Sequence, residues 1–313
     1  MKHQIQPAWP GLPAPSEWQE TLDTVHLWSQ IVGKVRLAHT PWVNHSWHVT
    51  LYVSSRGLTT SLIPHPSGGF EMEFNFADHQ LEISTVDGRR ASFELKAMSV
   101  ADFYHLTMDK LRQLNLPTAI YTKPVEIPDP ITPFPEDTTH ASYNAEPVHR
   151  YWLALTHIHR VFTRFRADFL GKVSPIHFFW GGFDLAVTRF SGGTAPKHPG
   201  GIPNCPDWVA EEGYSHELSS AGFWPGTGLG EAAFYAYAYP EPERFRTEAI
   251  EPEAAFYHEE LGEYILPYES VRSASNPDET LLRFLNTTYQ AAAVNGNWNR
   301  KALERVRERT GAL

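Results

Sequence analysis

His177-Phe-Phe-Trp-Gly-Gly-Phe-Asp-Leu-Ala-Val-Thr-Arg189 is the most apolar strand-like run of the chain, and it follows Leu170-Gly-Lys-Val173. The first half carries residues in the same order. Val32-Gly-Lys-Val35 precedes His45-Ser-Trp-His-Val-Thr-Leu-Tyr-Val-Ser-Ser-Arg56. Each run is followed by His-Pro and Gly-Gly, at His65-Pro66 with Gly68-Gly69 and at His198-Pro199-Gly200-Gly201. The second run is one residue longer, which a β-bulge at Gly181-Gly182 would absorb. A repeated order of motifs is the first thing to settle in a fold, because it sets the architecture of everything between the repeats. This one predicts an internal duplication: two repeats of helix, antiparallel sheet of three or four strands, and helix, related by a pseudo-twofold axis.

The surrounding sequence fits that plan. Ser16 with Gln19 makes a capping-box pattern, Trp18, Leu22, Val25, Ile31 or Val32 and Val35 follow at helical spacing, and Gly33 reads as a left-handed stop. Val148, Trp152, Leu155, His159, Phe162 and Phe169 form the matching stripe, closed by Gly171. Ser99-Val-Ala-Asp102 and Asn276-Pro277-Asp278-Glu279 read as helix starts. Phe70, Met72, Phe74 and Phe76 alternate with polar residues as a half-buried strand does, and Asp87-Gly88 marks a hairpin. Residues 214–218, 232–239 and 263–268 read as further strands. Short connections between strands make meanders, so the class is α+β. The divisions are a first repeat over residues 1–121, a proline-rich linker over 122–139 and a second repeat over 140–313, packed as one unit. Residues 191–208 form a long Gly/Pro-rich loop, either a lid or a surface excursion.

Composition narrows the function classes. Apolar residues make up 42% and charged residues 20%, which is a globular balance. The 36 acids exceed the 26 bases, which argues against a partner that is nucleic acid or an anionic membrane surface. No apolar run is long enough to span a bilayer, and the first residues lack a secretory h-region. Cys205 is the only cysteine, so no disulfide framework is expected and a cytoplasmic location is.

The chemistry-bearing residues cluster in the second half. Asp184 and Arg189 fall on opposite faces of an otherwise apolar strand, where a charge must pair or face a cavity. They would line a pocket with His177, or form a buried pair that organises the fold. Tyr214 and His216 share one face of the next strand and Glu217 takes the other, before an aromatic turn at Gly222-Phe-Trp-Pro-Gly226. Tyr235, Tyr237 and Tyr239 lie along one face of their strand, as a ligand wall or an ordinary half-exposed sheet face. No metal is expected, since His45 and His48 are three apart on a strand, His157 and His159 two apart on a helix, and neither pair converges. No cofactor motif is present either. Gly226-Thr-Gly-Leu-Gly230 lacks the βαβ setting of a nucleotide fingerprint.

The strings LWSQIVGKVRL, HVTLYVSSRGLTT, HFFWGGFDLAVTRFSG, YSHELSSAGFWPG and FYAYAYPEP resemble a bacterial family known only as a domain of unknown function, over roughly residues 9–298. The resemblance implies one coherent soluble bacterial protein and supplies no activity, cofactor or catalytic residue. The residues themselves point to a small-molecule enzyme or ligand-binding protein with an aromatic, His/Arg-lined cleft between the repeats. His216, His177 and Asp184 would be catalytic. Arg189, Tyr214, Glu217, Arg56, His48, Tyr237 and Trp180 would bind a small acidic or aromatic ligand. A non-catalytic sensor and a structural protein with a buried Asp184–Arg189 pair are the alternatives.

Overall fold

The computed structural model describes residues 9–305. Helix α1 (Pro15–His39) leads into strands β1 (Tyr52–Val53), β2 (Gly57–Thr59), β3 (Phe70–Asn75), β4 (Gln80–Thr85) and β5 (Arg90–Glu94), followed by α2 (Val100–Gln113). An irregular stretch reaches α3 (Ala145–Ala167). Then come β6 (His177–Phe179), β7 (Asp184–Thr194), α4 (Asp207–Gly213), β8 (His216–Trp224), β9 (Ala233–Tyr239), β10 (Phe256–His258) and β11 (Glu263–Pro267). Helices α5 (Tyr268–Arg272), α6 (Pro277–Asn295) and α7 (Arg300–Leu303) follow. The sheets have five strands in the order β1-β2-β3-β4-β5 and six in the order β10-β11-β9-β8-β7-β6. Each pairing is antiparallel, so the fold is α+β, with more strands per sheet than the three or four expected.

Local chemistry places several element starts. Ser99 accepts the Asp102 N–H at 3.0 Å and opens α2. Asn144 and Asn276 cap α3 and α6 in the same way. Helix α1 begins at Pro15, so Ser16 sits inside its first turn rather than capping it; proline supplies the helical φ there and has no N–H to leave unpaired. In the first layer Phe103 of α2 stacks between Trp28 of α1, at 4.7 Å, and Phe74 of β3, at 6.0 Å. In the second layer Tyr151 of α3 and Tyr268 of α5 pack on Phe223 of β8, at 5.9 and 5.5 Å.

The motifs that suggested a duplication fall on different elements. Gly33 lies in the body of α1, while Gly171 comes after α3 has ended. His45 lies in a 3-10 turn (Asn44–Ser46) with φ of 60°, while His177 is in a strand. Gly181 and Gly182 form no bulge. They lie in the turn that joins β6 to β7, two strands paired Phe179 to Asp184 where one long strand was expected. Gly222-Phe-Trp224 is likewise no turn but the end of β8.

The two sheets meet edge to edge. Leu51 and Phe178 exchange backbone hydrogen bonds of 2.9 and 2.8 Å. Beside them the Trp180 indole N–H donates to the Val49 carbonyl at 2.8 Å, and its ring lies flat on Gly33. A Cβ on Gly33 would come within 2.2 Å of the Trp180 Nε1. Trp180→Ala is expected to cost about 3–5 kcal/mol, the usual range for truncating a buried tryptophan. Gly33→Ala should destabilise by roughly 1–3 kcal/mol through overpacking. With alanine at 180 the same change at Gly33 should turn stabilising, by up to about 1 kcal/mol, because only helix propensity is left. Urea unfolding of the four proteins measures this reversal, and additive effects would show that ring and glycine are not in contact.

Candidate functional site

The face of the second sheet that turns away from α3 and α6 bounds a cavity of about 720 Å³. Strand alternation supplies its floor. Asp184, Ala186 and Thr188 of β7 stand beside Gly222 and Ser220 of β8, and these beside Tyr235 and Tyr237 of β9. The small residues in the middle make the hollow. A Cβ at Gly222 would lie 2.2 Å from the Tyr235 ring, so that phenol crosses β8 only because the position is glycine. Segment 198–214, including α4, closes the other side with His198, Ile202, Cys205 and Tyr214, and His45 joins it from the first half. The roof is fastened at two places. Trp42 donates to Glu212 at 2.6 Å, and Asn204 donates to the Ile127 carbonyl at 2.8 Å.

Three carboxyl groups converge on this space. Asp184 stands at the head of β7 and Glu263 at the head of β11. Glu126 comes from the proline-rich stretch. Gln30 of α1 holds that stretch by both backbone groups of Val125, at 2.9 Å each, and the Glu126 N–H donates to the Pro203 carbonyl at 2.8 Å. The Glu126 carboxylate lies on Gly181 and Gly182. A Cβ at Gly182 would sit 2.9 Å from Asp184 Oδ1 and 3.8 Å from Glu126 Oε2, so both carboxyls reach the same small volume. Glu126 is exposed and Asp184 and Glu263 are half-buried, so all three side chains are accessible to the cavity while protein still displaces part of their water. Enclosure disfavours the ionised form, and the Asp184 charge adds to it at the two glutamates, so both glutamate pKa values rise to about 7. Asp184 rises to about 6, its desolvation partly offset by the Tyr235 hydroxyl, which donates to it.

The remaining polar groups brace one another. The Tyr214 and Tyr237 hydroxyls are 2.8 Å apart, those of Thr188 and Ser220 2.9 Å apart, and the His198 ring stacks on Tyr214 at 4.5 Å. Burial, helped by the Lys172 charge, lowers the His45 pKa to about 4. Among the described residues that line the cavity there is no Lys or Arg.

Of the residues singled out in the sequence, the fold brings Asp184, Tyr214 and Tyr237 together here. Arg189 points to the helix side of the sheet. Its guanidinium lies 3.5 Å from the Phe165 ring centre and 4.4 Å from that of Tyr289, and it donates to the Phe165 carbonyl. Asp184 therefore has no arginine partner on its own face; Tyr235 takes that place. Arg56 pairs with Glu73 and Glu82 on the first sheet. His216 is exposed at the start of β8, beside the Ser215 hydroxyl, and Glu217 accepts from Ser191 at 2.6 Å. His48 sits under Trp42, and Trp180 belongs to the sheet junction. His177 is buried against Trp47, Tyr52 and Phe179 with neither ring nitrogen paired, and its pKa falls to about 3, mainly through burial.

A family model matches residues 9–305. The chain belongs to the family of unknown function DUF5996. No curated protein and no solved structure matches it. For this member of the family, then, the cavity itself is the functional information. No described helix is long and apolar enough to cross a membrane. Among the described residues no group of three or more His, Cys, Asp or Glu is placed to hold a metal ion. Glu126 and Glu263 escaped the sequence reading; a lone acid between prolines, Pro124 to Pro128, was the available signal for the first.

A carboxyl whose pKa is higher folded than unfolded binds its proton more tightly in the native state. Its contribution to stability is whole below the unfolded value, about 4, and fades as pH rises through the folded value. The melting temperature should therefore fall between pH 4 and pH 7.5. Glu126→Gln, Asp184→Asn and Glu263→Gln should each flatten that slope. Calorimetric scans across this range check it, and slopes unchanged in all three variants would place the titration elsewhere.

Proposed function

We propose that the cavity is a small-molecule site for a basic ligand, one that carries a protonated amine. One observation carries this reading: Glu126, Asp184 and Glu263 line one cavity whose described lining holds no Lys or Arg. An acidic ligand would meet like charge there. The arginines that favoured one, Arg56 and Arg189, are engaged elsewhere. The tyrosine and tryptophan faces around the carboxyls suit a cation as well, because ring faces attract positive charge.

Glu126 and Asp184 favour a second reading on the same site. Two carboxyls with raised pKa values that reach one small volume can share a proton near neutral pH, which is what general acid–base catalysis requires. The enzyme and the binding module share the cavity and differ in whether the bound ligand is turned over.

Binding a cation ionises the carboxyls that face it, so binding should release protons. Affinity for primary amines should rise between pH 5 and pH 7.5, approaching tenfold per unit for each proton released. The heat of binding should change between phosphate and Tris buffers, whose ionisation enthalpies differ. Asp184→Asn should weaken binding by about tenfold or more, and Arg56→Ala should leave it unchanged. Titration calorimetry with alkylamines, diamines and arylalkylamines tests this. If no amine binds the wild type more tightly than the Asp184→Asn variant, the reading falls.

A further inference from the structure

A second cavity, of about 440 Å³, lies directly behind the first. The two share Glu126, Gly182, Trp224 and Thr227 in their walls, so Glu126 stands between them. Away from that partition the second cavity is bounded by Leu22, Leu27, Ile127, Pro128, Ile131 and Phe183. Several of its polar side chains already have partners. His26 Nε2 lies 2.8 Å from the Gly181 carbonyl, His140 Nδ1 lies 2.7 Å from Asp137, and Asp23 accepts from Gln19 at 2.7 Å. Groups that have partners ask nothing of a ligand, so what this chamber offers is apolar surface. An acidic cavity and a more apolar one, with Glu126, Gly182, Trp224 and Thr227 as their common wall, match a molecule with a charged end and a hydrocarbon end.

We propose that the ligand is an amine with an aliphatic tail, its ammonium group among Glu126, Asp184 and Glu263 and its tail in the second cavity. The proposal rests on the amine reading above and extends it to the substrate class. The tail would pass the Glu126 carboxylate on the side of Trp224 and Thr227, since Gly181 and Gly182 occupy the other side. The Val125 N–H donates to the Gln30 side chain and the Glu126 N–H to the Pro203 carbonyl, and these bonds hold the Glu126 backbone in place. A passage between the cavities at that point would favour an unbranched chain.

The test is calorimetric titration of the whole protein with straight-chain primary amines from methylamine to octylamine. Affinity should climb up to about fourfold per methylene added until the chamber is filled. A branched isomer should bind more weakly than its linear counterpart. Ile131 is only half-buried, so Ile131→Trp should fold while filling the chamber from its wall. That variant should lose the gain with chain length and keep the affinity for methylamine. Amine binding that needs Asp184 but ignores chain length would overturn this inference and leave the basic-ligand site standing. A length dependence that survives Ile131→Trp would place the tail elsewhere and overturn it too. If no amine binds at all, both fall.

Discussion

The Trp180 indole fills the space that a side chain at Gly33 would take, and its N–H reaches the Val49 carbonyl. That contact seats the β6–β7 turn against α1, and the candidate site follows from it. Gly181 and Gly182 come next in the chain, and their bare backbone makes the shelf on which the Glu126 carboxylate lies. Asp184 then enters β7 facing the same volume. Gln30 sits three residues before Gly33 on α1 and holds the other end of the arrangement through Val125. One helix therefore positions both the turn and the proline-rich segment, and sets the separation of two carboxyl groups that are far apart in sequence.

The second sheet divides its chemistry between two faces. On the helix side Arg189 is buried among Phe165, Phe169 and Tyr289, where ring faces and a carbonyl compensate its lost water. On the cavity side stand Asp184, Tyr235, Tyr237 and Glu263. Opposite charges on opposite faces of one strand do not neutralise each other. The acid is left with a phenol for a partner, and the cavity keeps its negative character. Partly desolvated carboxyls without a cation beside them hold raised pKa values, and such perturbed groups are the kind of departure that binding sites show.

Enclosure and accessibility act together at this site. The carboxyls are surrounded closely enough to hold protons near neutral pH, yet their surfaces face a void. A cation that enters supplies the missing charge and favours ionisation. The roof bears on access: Trp42 and Asn204 tie segment 198–213 to two separate parts of the molecule.

Much of the fold was legible in the sequence because it depends on short-range rules. Alternation in residues 70–76 and 232–239, the caps at Ser99 and Asn276, and meanders with short connections suffice for an α+β class with antiparallel sheets. The shared face of Tyr235 and Tyr237 was legible for the same reason. The parallel between the two glycine–lysine motifs misled, since order along the chain does not say whether a glycine ends a helix or receives an indole from 147 residues away. The sequence by itself determined which residues share a strand face, and so that Asp184 and Arg189 part company. Only the tertiary structure decided what each face meets. Glu126, Asp184 and Glu263 become a site because α1, a proline-rich segment and two strands converge, and such convergence is a property of packing that local pattern does not encode.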